Sequence, residues 1–168
     1  QAPTLTRKYE DFILSKSHSG GDHGFAPVHL PDYLFDFQAE MVEWALRKGR
    51  AALFEDCGLG KTPQELVWAD NVVRHTNGRV LMCAPLAVAM QIAREASKFH
   101  IEVKVCRDGN IGGPGIYVTN YERLKLFNAS DFVGMVCDES SILKSFDGST
   151  KTAITTFMRK LPYRLLAT

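Results

Sequence analysis

The stretch Glu55-Asp56-Cys57-Gly58-Leu59-Gly60-Lys61-Thr62 lies between an apolar segment, Ala51 to Phe54, and a helical pattern. A strand, a glycine-containing turn and a helix in this order are typical of a nucleotide phosphate-binding loop. Glycines let backbone N–H groups surround a polyphosphate, while Lys61 supplies positive charge and the Thr62 hydroxyl is a ligand for Mg²⁺. We therefore predict an ATP site whose phosphate-binding residues are Gly58, Leu59, Gly60, Lys61 and Thr62.

Two features of this loop depart from the commonest pattern. Glu55 stands where the longer pattern has its first glycine, so an ordinary glycine-rich turn before a helix is the competing interpretation. Pro63 disfavours a helical conformation at Thr62, and we therefore expect the following helix to start slightly late.

The composition is that of one soluble domain with a substantial core: 168 residues, 45% hydrophobic and 23% charged. Because the net charge is only +1, a broad basic surface is excluded and any contact with nucleic acid must be local. Two clusters are candidates, Arg47-Lys48-Arg50 and Arg159-Lys160 with Arg164. The alternative is that these cations lie at helix ends and offset the helix dipoles.

The cysteines are widely spaced and form no Cys-x-x-Cys pair, which predicts buried thiols in a reducing, cytoplasmic or nucleoid-associated location. The histidines lack metal-ligand spacing, so we expect no zinc site. We expect no membrane association, because no apolar stretch is long enough to span a bilayer. The chain starts without Met or a signal-peptide core, which suggests a piece of a longer protein.

Hydrophobic periodicity predicts the α/β class, with a mostly parallel sheet flanked by helices on both faces. Asp36 to Lys48 has helical spacing, with Phe37, Met41, Trp44, Ala45 and Leu46 on one face. Further helices are predicted at Thr62 to His75, Leu86 to Phe99 and Thr150 to Arg159. Strands are predicted at Ala51 to Phe54, Arg79 to Cys83, Val103 to Cys106, Ile116 to Thr119, Gly134 to Cys137 and Arg164 to Ala167.

Two acids, Asp138 and Glu139, directly follow one of these strands. Ligands collect at the carboxyl ends of parallel strands, where the phosphate loop also emerges. We assign Asp138 to Mg²⁺ and Glu139 to orienting or deprotonating the attacking water. The alternative is a helix start, where acids are favoured by the dipole.

The amide of Gln38 offers both a donor and an acceptor, which match the N6 amino group and N7 of adenine. We predict that it selects ATP, with Phe25 or Tyr33 as candidates for stacking on the base. The alternative is an exposed helix glutamine.

In this order, these elements resemble the first RecA-like domain of superfamily 2 helicases and translocases, most closely the Swi/Snf-like branch. The resemblance covers residues 34–168 and leaves residues 1–33 as an N-terminal arm. It rests on Leu34-Phe35-Asp36-Phe37-Gln38 (the adenine-reading motif), Glu55 to Thr62 (motif I), Cys83-Ala84-Pro85-Leu86 (Ia), Val118-Thr119-Asn120-Tyr121 (Ib), Asp138-Glu139-Ser140-Ser141 (II) and Leu165-Leu166-Ala167-Thr168 (III). Ser140-Ser141 departs from the family, which usually has Ala-His or Gly-His there.

The resemblance implies Mg-ATP hydrolysis that drives movement on nucleic acid, with Pro85, Leu86, Thr119 and Asn120 contacting a strand backbone. A capping box, Thr119-x-x-Glu122, is an alternative role for Thr119. The family completes its catalytic site with arginines from a second RecA-like domain, so we expect a monomer that is nearly inactive as this chain alone. RNA helicases, restriction-system motor subunits and non-catalytic nucleotide-binding modules remain alternatives, and a small-molecule kinase is a weaker one.

Overall fold

A computed structural model describes residues 22–53, 60–139 and 144–168. These residues form a six-stranded sheet in which every strand pair is parallel and the strand order is β1-β6-β5-β2-β4-β3. The strands are β1 (Arg50–Leu53), β2 (Arg79–Ala84), β3 (Val103–Val105), β4 (Gly115–Asn120), β5 (Gly134–Asp138) and β6 (Tyr163–Ala167). The predicted α/β class with a parallel sheet is confirmed.

Four α-helices accompany the sheet in the described residues: α1 (Asp36–Lys48), α2 (Lys61–Thr76), α3 (Leu86–Ala96) and α4 (Gly148–Arg159). Short 3₁₀ segments lie at Ser97–Phe99, Tyr121–Leu126 and Ala129–Asp131. The helix predicted for Leu86 to Phe99 is thus an α-helix that ends at Ala96 and continues as a 3₁₀ turn. The α1 face differs from the prediction, because Val42 is buried while Phe37 and Trp44 are only half-buried.

Alternate residues of β2, β4, β5 and β6 enter two separate hydrophobic cores. On β2, Val80 and Met82 pack in the core that holds α1, α2 and α3, whereas Leu81 and Cys83 pack against α4 and the Tyr121–Leu126 turn. A strand covered on both faces has no polar side, which explains the continuous apolar runs of the sequence. The predicted helices on both faces are therefore confirmed.

The connections bring the ends of β1 and β5 to one edge of the sheet. From β1 to β3 the chain crosses the sheet in one direction, with α2 and α3 on one face. From β3 it returns through β4 and β5 to β6, with α4 on the other face. Crossovers of the same hand place helices on opposite faces when the direction of travel reverses. Ala167 pairs with both Leu53 and Asp138. The strand before the phosphate loop and the strand before the acid pair therefore end at the same level.

Helix α2 does not start late, contrary to the sequence expectation. It begins at Lys61, after Gly60 in the left-handed conformation (φ +73°). Pro63 is the third helical residue, where the N–H that proline lacks would have no partner within the helix. Proline is therefore tolerated at position 63, and the helix includes Thr62 although a following proline disfavours helical backbone there.

Three of the four cysteines, Cys83, Cys106 and Cys137, are buried free thiols, as predicted, and Cys57 lies outside the described residues. Within the described ranges, no helix is both long enough and apolar enough to cross a membrane.

Candidate nucleotide-binding site

The Lys61 amine lies between the two predicted acids. Lys61 is the first residue of α2, and its Nζ is 2.9 Å from Asp138 Oδ1 at the end of β5. The same Nζ donates a hydrogen bond to Glu139 Oε1. The structure therefore brings together the three residues that the sequence predicts as catalytic, across 78 positions of sequence.

The two acids differ in their access to solvent. The Asp138 side chain is 2% exposed and that of Glu139 is 43% exposed, while the Lys61 side chain between them is 19% exposed. A buried carboxylate is stable only with a partner, and Lys61 provides it. The more open Glu139 is the acid that water can reach.

Electrostatics keep the Lys61 amine charged. Partial burial by itself lowers the pKa of Lys61, but hydrogen bonds to Glu139 and Asp138 and the charge of Asp138 act against it, and the pKa is raised overall. The nearby charge of Glu65, a fully buried residue of α2, adds to this rise. A permanent cation at this position suits the binding of a polyphosphate.

The backbone around the acid pair is held from the opposite face of the sheet. The buried Tyr121 hydroxyl donates a hydrogen bond to the Asp138 carbonyl at 2.7 Å. The next residue, Glu139, has a left-handed backbone (φ +55°), which turns the chain away from the strand. Burial and neighbouring Cys137, Cys83 and Asp138 raise the pKa of Tyr121, so its hydroxyl remains a donor.

Gly60 is packed directly against Gln38. The Gly60 carbonyl accepts hydrogen bonds from Gln38 Nε2 at 3.2 Å and from Gln64 Nε2 at 3.3 Å. A Cβ at position 60 would lie 2.3 Å from Gln38 Nε2. Both the positive φ and this contact therefore favour glycine at position 60. Gly58 and Leu59, the other predicted loop residues, lie outside the described residues.

Gln38 is 4% exposed, so the alternative of an exposed helix glutamine is wrong. Its Oε1 accepts a hydrogen bond from the Phe35 N–H at 2.9 Å, and its Nε2 binds the Gly60 carbonyl. These bonds connect the start of α1 to the start of α2. Recognition of adenine by Gln38 stays a prediction.

An open cleft of about 520 Å³ adjoins the start of α2. Gln38, Gly60, Lys61 and Thr62 line it, together with the aromatic rings of Tyr33, Phe35 and Phe99. Phe35 is 67% exposed, and its ring is available to a ligand. Phe35 lies in the predicted adenine-reading motif but was not predicted to be a stacking ring, although its place three residues before Gln38 was a usable signal.

Of the two predicted stacking candidates, only Tyr33 lines this cleft. Its hydroxyl donates to the Phe99 carbonyl at 2.8 Å, which fixes the ring at the cleft wall. Phe25 instead stacks on His75, with ring centroids 3.9 Å apart.

The donor set at the site suits Mg²⁺ better than a transition metal. No group of three or more His, Cys, Asp or Glu side chains able to hold a metal occurs among the described residues. Mg²⁺ usually binds through one or two protein oxygens and completes its shell with water and substrate phosphates. The Asp138 carboxylate and the Thr62 hydroxyl are the oxygen donors at this sheet edge that fit such a role.

The predicted nucleic-acid contacts lie side by side at the same edge of the sheet. β2 and β4 are neighbours, with Ala84 paired to Asn120, so Pro85 and Leu86 follow β2 where Thr119 and Asn120 end β4. Leu86 is 44% exposed, whereas Thr119 and Asn120 are 1% and 6% exposed. Of these four, Leu86 presents the most exposed side chain.

The capping box proposed as an alternative for Thr119 is wrong. The 3₁₀ turn at Tyr121–Leu126 follows Asn120 rather than Thr119, and no side chain caps it. Glu122 instead accepts a hydrogen bond from Asn120 Nδ2 at 2.6 Å. Ser140 and Ser141 lie outside the described residues.

No protein-family model and no curated protein sequence matches this chain. Solved structures do match its fold. The SWI2/SNF2 ATPase core of Sulfolobus solfataricus in complex with double-stranded DNA has a TM-score of 0.67 and 22% identity, over 86% of this chain and 33% of that chain. The UvsW helicase of bacteriophage T4 has a TM-score of 0.66 and 15% identity, over 96% of this chain and 59% of that chain.

A third structure is a nuclease-deletion mutant of the Type ISP restriction-modification enzyme LlaGI, in complex with a DNA substrate mimic. It has a TM-score of 0.58 and 17% identity, over 82% of this chain and 17% of that chain. The chain thus spans between 17% and 59% of the length of these three proteins. At identities this low, the likeness establishes a shared fold.

Proposed function

We propose, from the RecA-like fold that this chain shares with superfamily 2 helicase cores, that it is the ATP-binding part of a motor that moves on nucleic acid. The observation that carries the proposal is the contact of Lys61 with both Asp138 and Glu139. A lysine at a helix start that faces two acids at the end of a parallel strand is an arrangement used in phosphoryl transfer.

Each of these residues has a distinct role in the proposed reaction. Lys61 binds the β- and γ-phosphates of ATP, while Thr62 and Asp138 hold Mg²⁺. When bound, Mg²⁺ neutralises negative charge on the phosphates. Glu139, the more exposed acid, orients the attacking water and accepts its proton.

The cleft beside α2 is the proposed site for the adenine base. Phe35 and Tyr33 offer aromatic surface, and Gln38 lies where the cleft meets Gly60. Stacking on an exposed ring stabilises a base irrespective of its identity, so selection of adenine falls to the Gln38 amide.

The proposal includes a second RecA-like domain that supplies arginines to the γ-phosphate. Arginine fingers accelerate nucleotide hydrolysis by about 10³ to 10⁵. We therefore expect this chain alone to bind nucleotide weakly and to hydrolyse it very slowly. Stimulation of the longer protein by double-stranded DNA, single-stranded DNA or RNA would identify the polymer on which it moves.

Titration of the chain with a fluorescent ATP analogue in the presence of Mg²⁺ tests nucleotide binding directly. Lys61→Ala is expected to weaken binding at least about ten-fold, because an ionic contact to the phosphates is lost. Lys104→Ala, an exposed lysine on β3, is the matched control and is expected to bind normally. Equal affinity of the Lys61 variant and the wild type, with circular dichroism unchanged, would refute the proposed site.

In the longer protein, Glu139→Gln separates a motor from a non-catalytic nucleotide-binding module. It is expected to retain nucleotide binding and to lose hydrolysis, because the amide cannot accept the proton from water. Hydrolysis at the wild-type rate in this variant would contradict the role assigned to Glu139.

A further inference from the structure

Two cationic segments that are far apart in sequence meet at the amino ends of β1 and β6. Arg50, the first residue of β1, pairs in register with Arg164 of β6. The end of α4 brings Arg159 and Lys160 to the same place, since Arg164 Nη2 donates to the Arg159 carbonyl at 2.7 Å. We call these four residues, Arg50, Arg159, Lys160 and Arg164, the basic cluster.

The basic cluster has no acidic partner among residues 22–53, 60–139 and 144–168. Nearby Arg47 and Lys48 differ in this respect, because Arg47 pairs with Glu43 at 3.0 Å and Lys48 pairs with Asp22 at 3.4 Å. Burial, and after it the positive charges of Arg50 and Arg159, lower the pKa of Arg164, as expected where cations lie close enough to repel one another. An anion bound here would relieve that repulsion.

Helix ends offset part of the positive charge of the basic cluster, as the alternative interpretation of these cations predicted. Both α1 and α4 end near the cluster, and each helix end contributes about half a negative charge. Together they offset about one cation. The remaining positive charge is not neutralised by the described part of the chain.

Two guanidinium groups of the cluster are held in place by backbone carbonyls. Arg50 Nε donates to the Pro162 carbonyl at 3.4 Å, and Arg164 Nε donates to the Leu161 carbonyl at 2.8 Å. An arginine has five N–H donors, so further donors of each side chain remain for a ligand. Holding them in advance reduces the entropy lost when an anion binds.

A groove of about 350 Å³ connects the basic cluster to the β1 edge of the sheet. Arg50 and Arg164 line it, together with Ala51 and Ala52 of β1 and the ring of Trp44. β1 is the outermost strand of the described sheet, and its two alanines are partly exposed. Backbone N–H groups, arginine forks and an aromatic ring are the groups that hold a nucleic-acid strand.

We propose that this groove and the basic cluster bind the phosphate backbone of a nucleic-acid strand. The site is separate from the nucleotide site: along β6, Arg164 precedes Ala167, the partner of Asp138, by three residues, or about 10 Å. It faces the amino ends of the strands, whereas Pro85, Leu86, Thr119 and Asn120 lie at the carboxyl ends. The inference does not depend on the proposed ATP hydrolysis.

The test uses the whole chain and a fluorescein-labelled DNA of 20 nucleotides, single-stranded or as a duplex, over a range of salt concentrations. Arg159→Glu combined with Lys160→Glu reverses two exposed charges. It is expected to weaken binding at least about ten-fold, and to reduce the slope of log affinity against log salt by about two. Lys104→Glu with Arg107→Glu makes the same charge change at the opposite edge of the sheet and is expected to alter affinity less than about two-fold.

Trp44 fluorescence tests whether the strand binds in the groove. Of the two tryptophans, Trp68 is fully buried, so quenching by DNA reports on Trp44 in the groove. The quenching is expected to persist in the Lys104/Arg107 variant and to disappear in the Arg159/Lys160 variant. Unchanged quenching and affinity in that variant, or an equal loss in the control, would overturn the proposal. Binding of polyglutamate as tight as that of DNA would overturn the assignment to nucleic acid.

Discussion

The Tyr121 hydroxyl donates a hydrogen bond to the backbone carbonyl of Asp138 at 2.7 Å. This bond joins the 3₁₀ turn after β4 to the acid pair at the end of β5. Two of the predicted nucleic-acid contacts, Thr119 and Asn120, are the last residues of β4. Any displacement of that turn by a bound strand would therefore reach the peptide between Asp138 and Glu139. The contact is a direct physical link between the two predicted functions.

Tyr121→Phe is expected to destabilise the chain by about 1–3 kcal/mol, because it leaves the buried Asp138 carbonyl without its donor. Urea unfolding measures this effect. Tyr117→Phe is the matched control, since the Tyr117 hydroxyl bonds to Gly112 and Gly113 in a loop away from the site. We expect both variants to lose stability, but only Tyr121→Phe to weaken binding of a fluorescent ATP analogue. Equal nucleotide affinities in the two variants would argue against a positioning role for Tyr121.

Gly60→Ala is expected to destabilise the chain for two separable reasons. The left-handed backbone costs about 1–2 kcal/mol with a side chain, and the new Cβ collides with Gln38 Nε2. Gln38→Ala removes the collision but not the backbone cost.

A double-mutant cycle measured by urea unfolding separates these terms. The double variant Gly60→Ala/Gln38→Ala should be more stable than the sum of the two single changes predicts. Strict additivity would show that Gln38 does not pack against position 60.

The sequence was sufficient to predict the sheet and the meeting of Lys61 with the acid pair. Apolar runs mark buried strands, and parallel strands place their carboxyl ends along one edge of the sheet, so Lys61 and Asp138 are expected at the same edge. The Tyr121–Asp138 bond was not predictable in this way. It depends on β2 lying between β4 and β5, and hydrophobic periodicity does not specify which strands are neighbours.

The basic cluster illustrates the same limit. Each cationic segment was visible in the sequence, yet only the pairing of β1 with β6 brings Arg50 opposite Arg164. The failed capping box has a more local cause. The Asn120 side chain takes Glu122 as its own partner, and a spacing rule cannot detect that competition.

Lys61→Met is expected to destabilise the chain by about 3 kcal/mol at neutral pH, because it leaves the buried Asp138 carboxylate without a cation. Adding Asp138→Asn removes the unpaired charge and should restore much of the loss. Thermal unfolding tests both expectations, and a loss of the same size with and without Asp138→Asn would contradict them.

Buried thiols are expected to make the chain lose stability in alkaline solution. Burial raises the pKa of Cys137 from 9.0 to about 12, and burial also raises that of Cys83, its neighbour in register on β2. Above pH 9, the unfolded chain releases these protons while the folded chain retains them, so the free energy of unfolding falls as pH rises. Lys61 acts in the same direction at higher pH, since its pKa is raised from 10.5.

Each retained proton lowers the free energy of unfolding by about 1.4 kcal/mol per pH unit above the unfolded pKa. Urea unfolding between pH 9 and about pH 11 should therefore show a smaller slope against pH for Cys137→Ala than for the wild type. Leu81→Val is the control, because it weakens the same core without removing a titrating group. Leu81→Val should lower the free energy of unfolding by a similar amount at every pH. If Cys137→Ala also lowered it by a constant amount at every pH, the Cys137 thiol would not control the alkaline loss of stability.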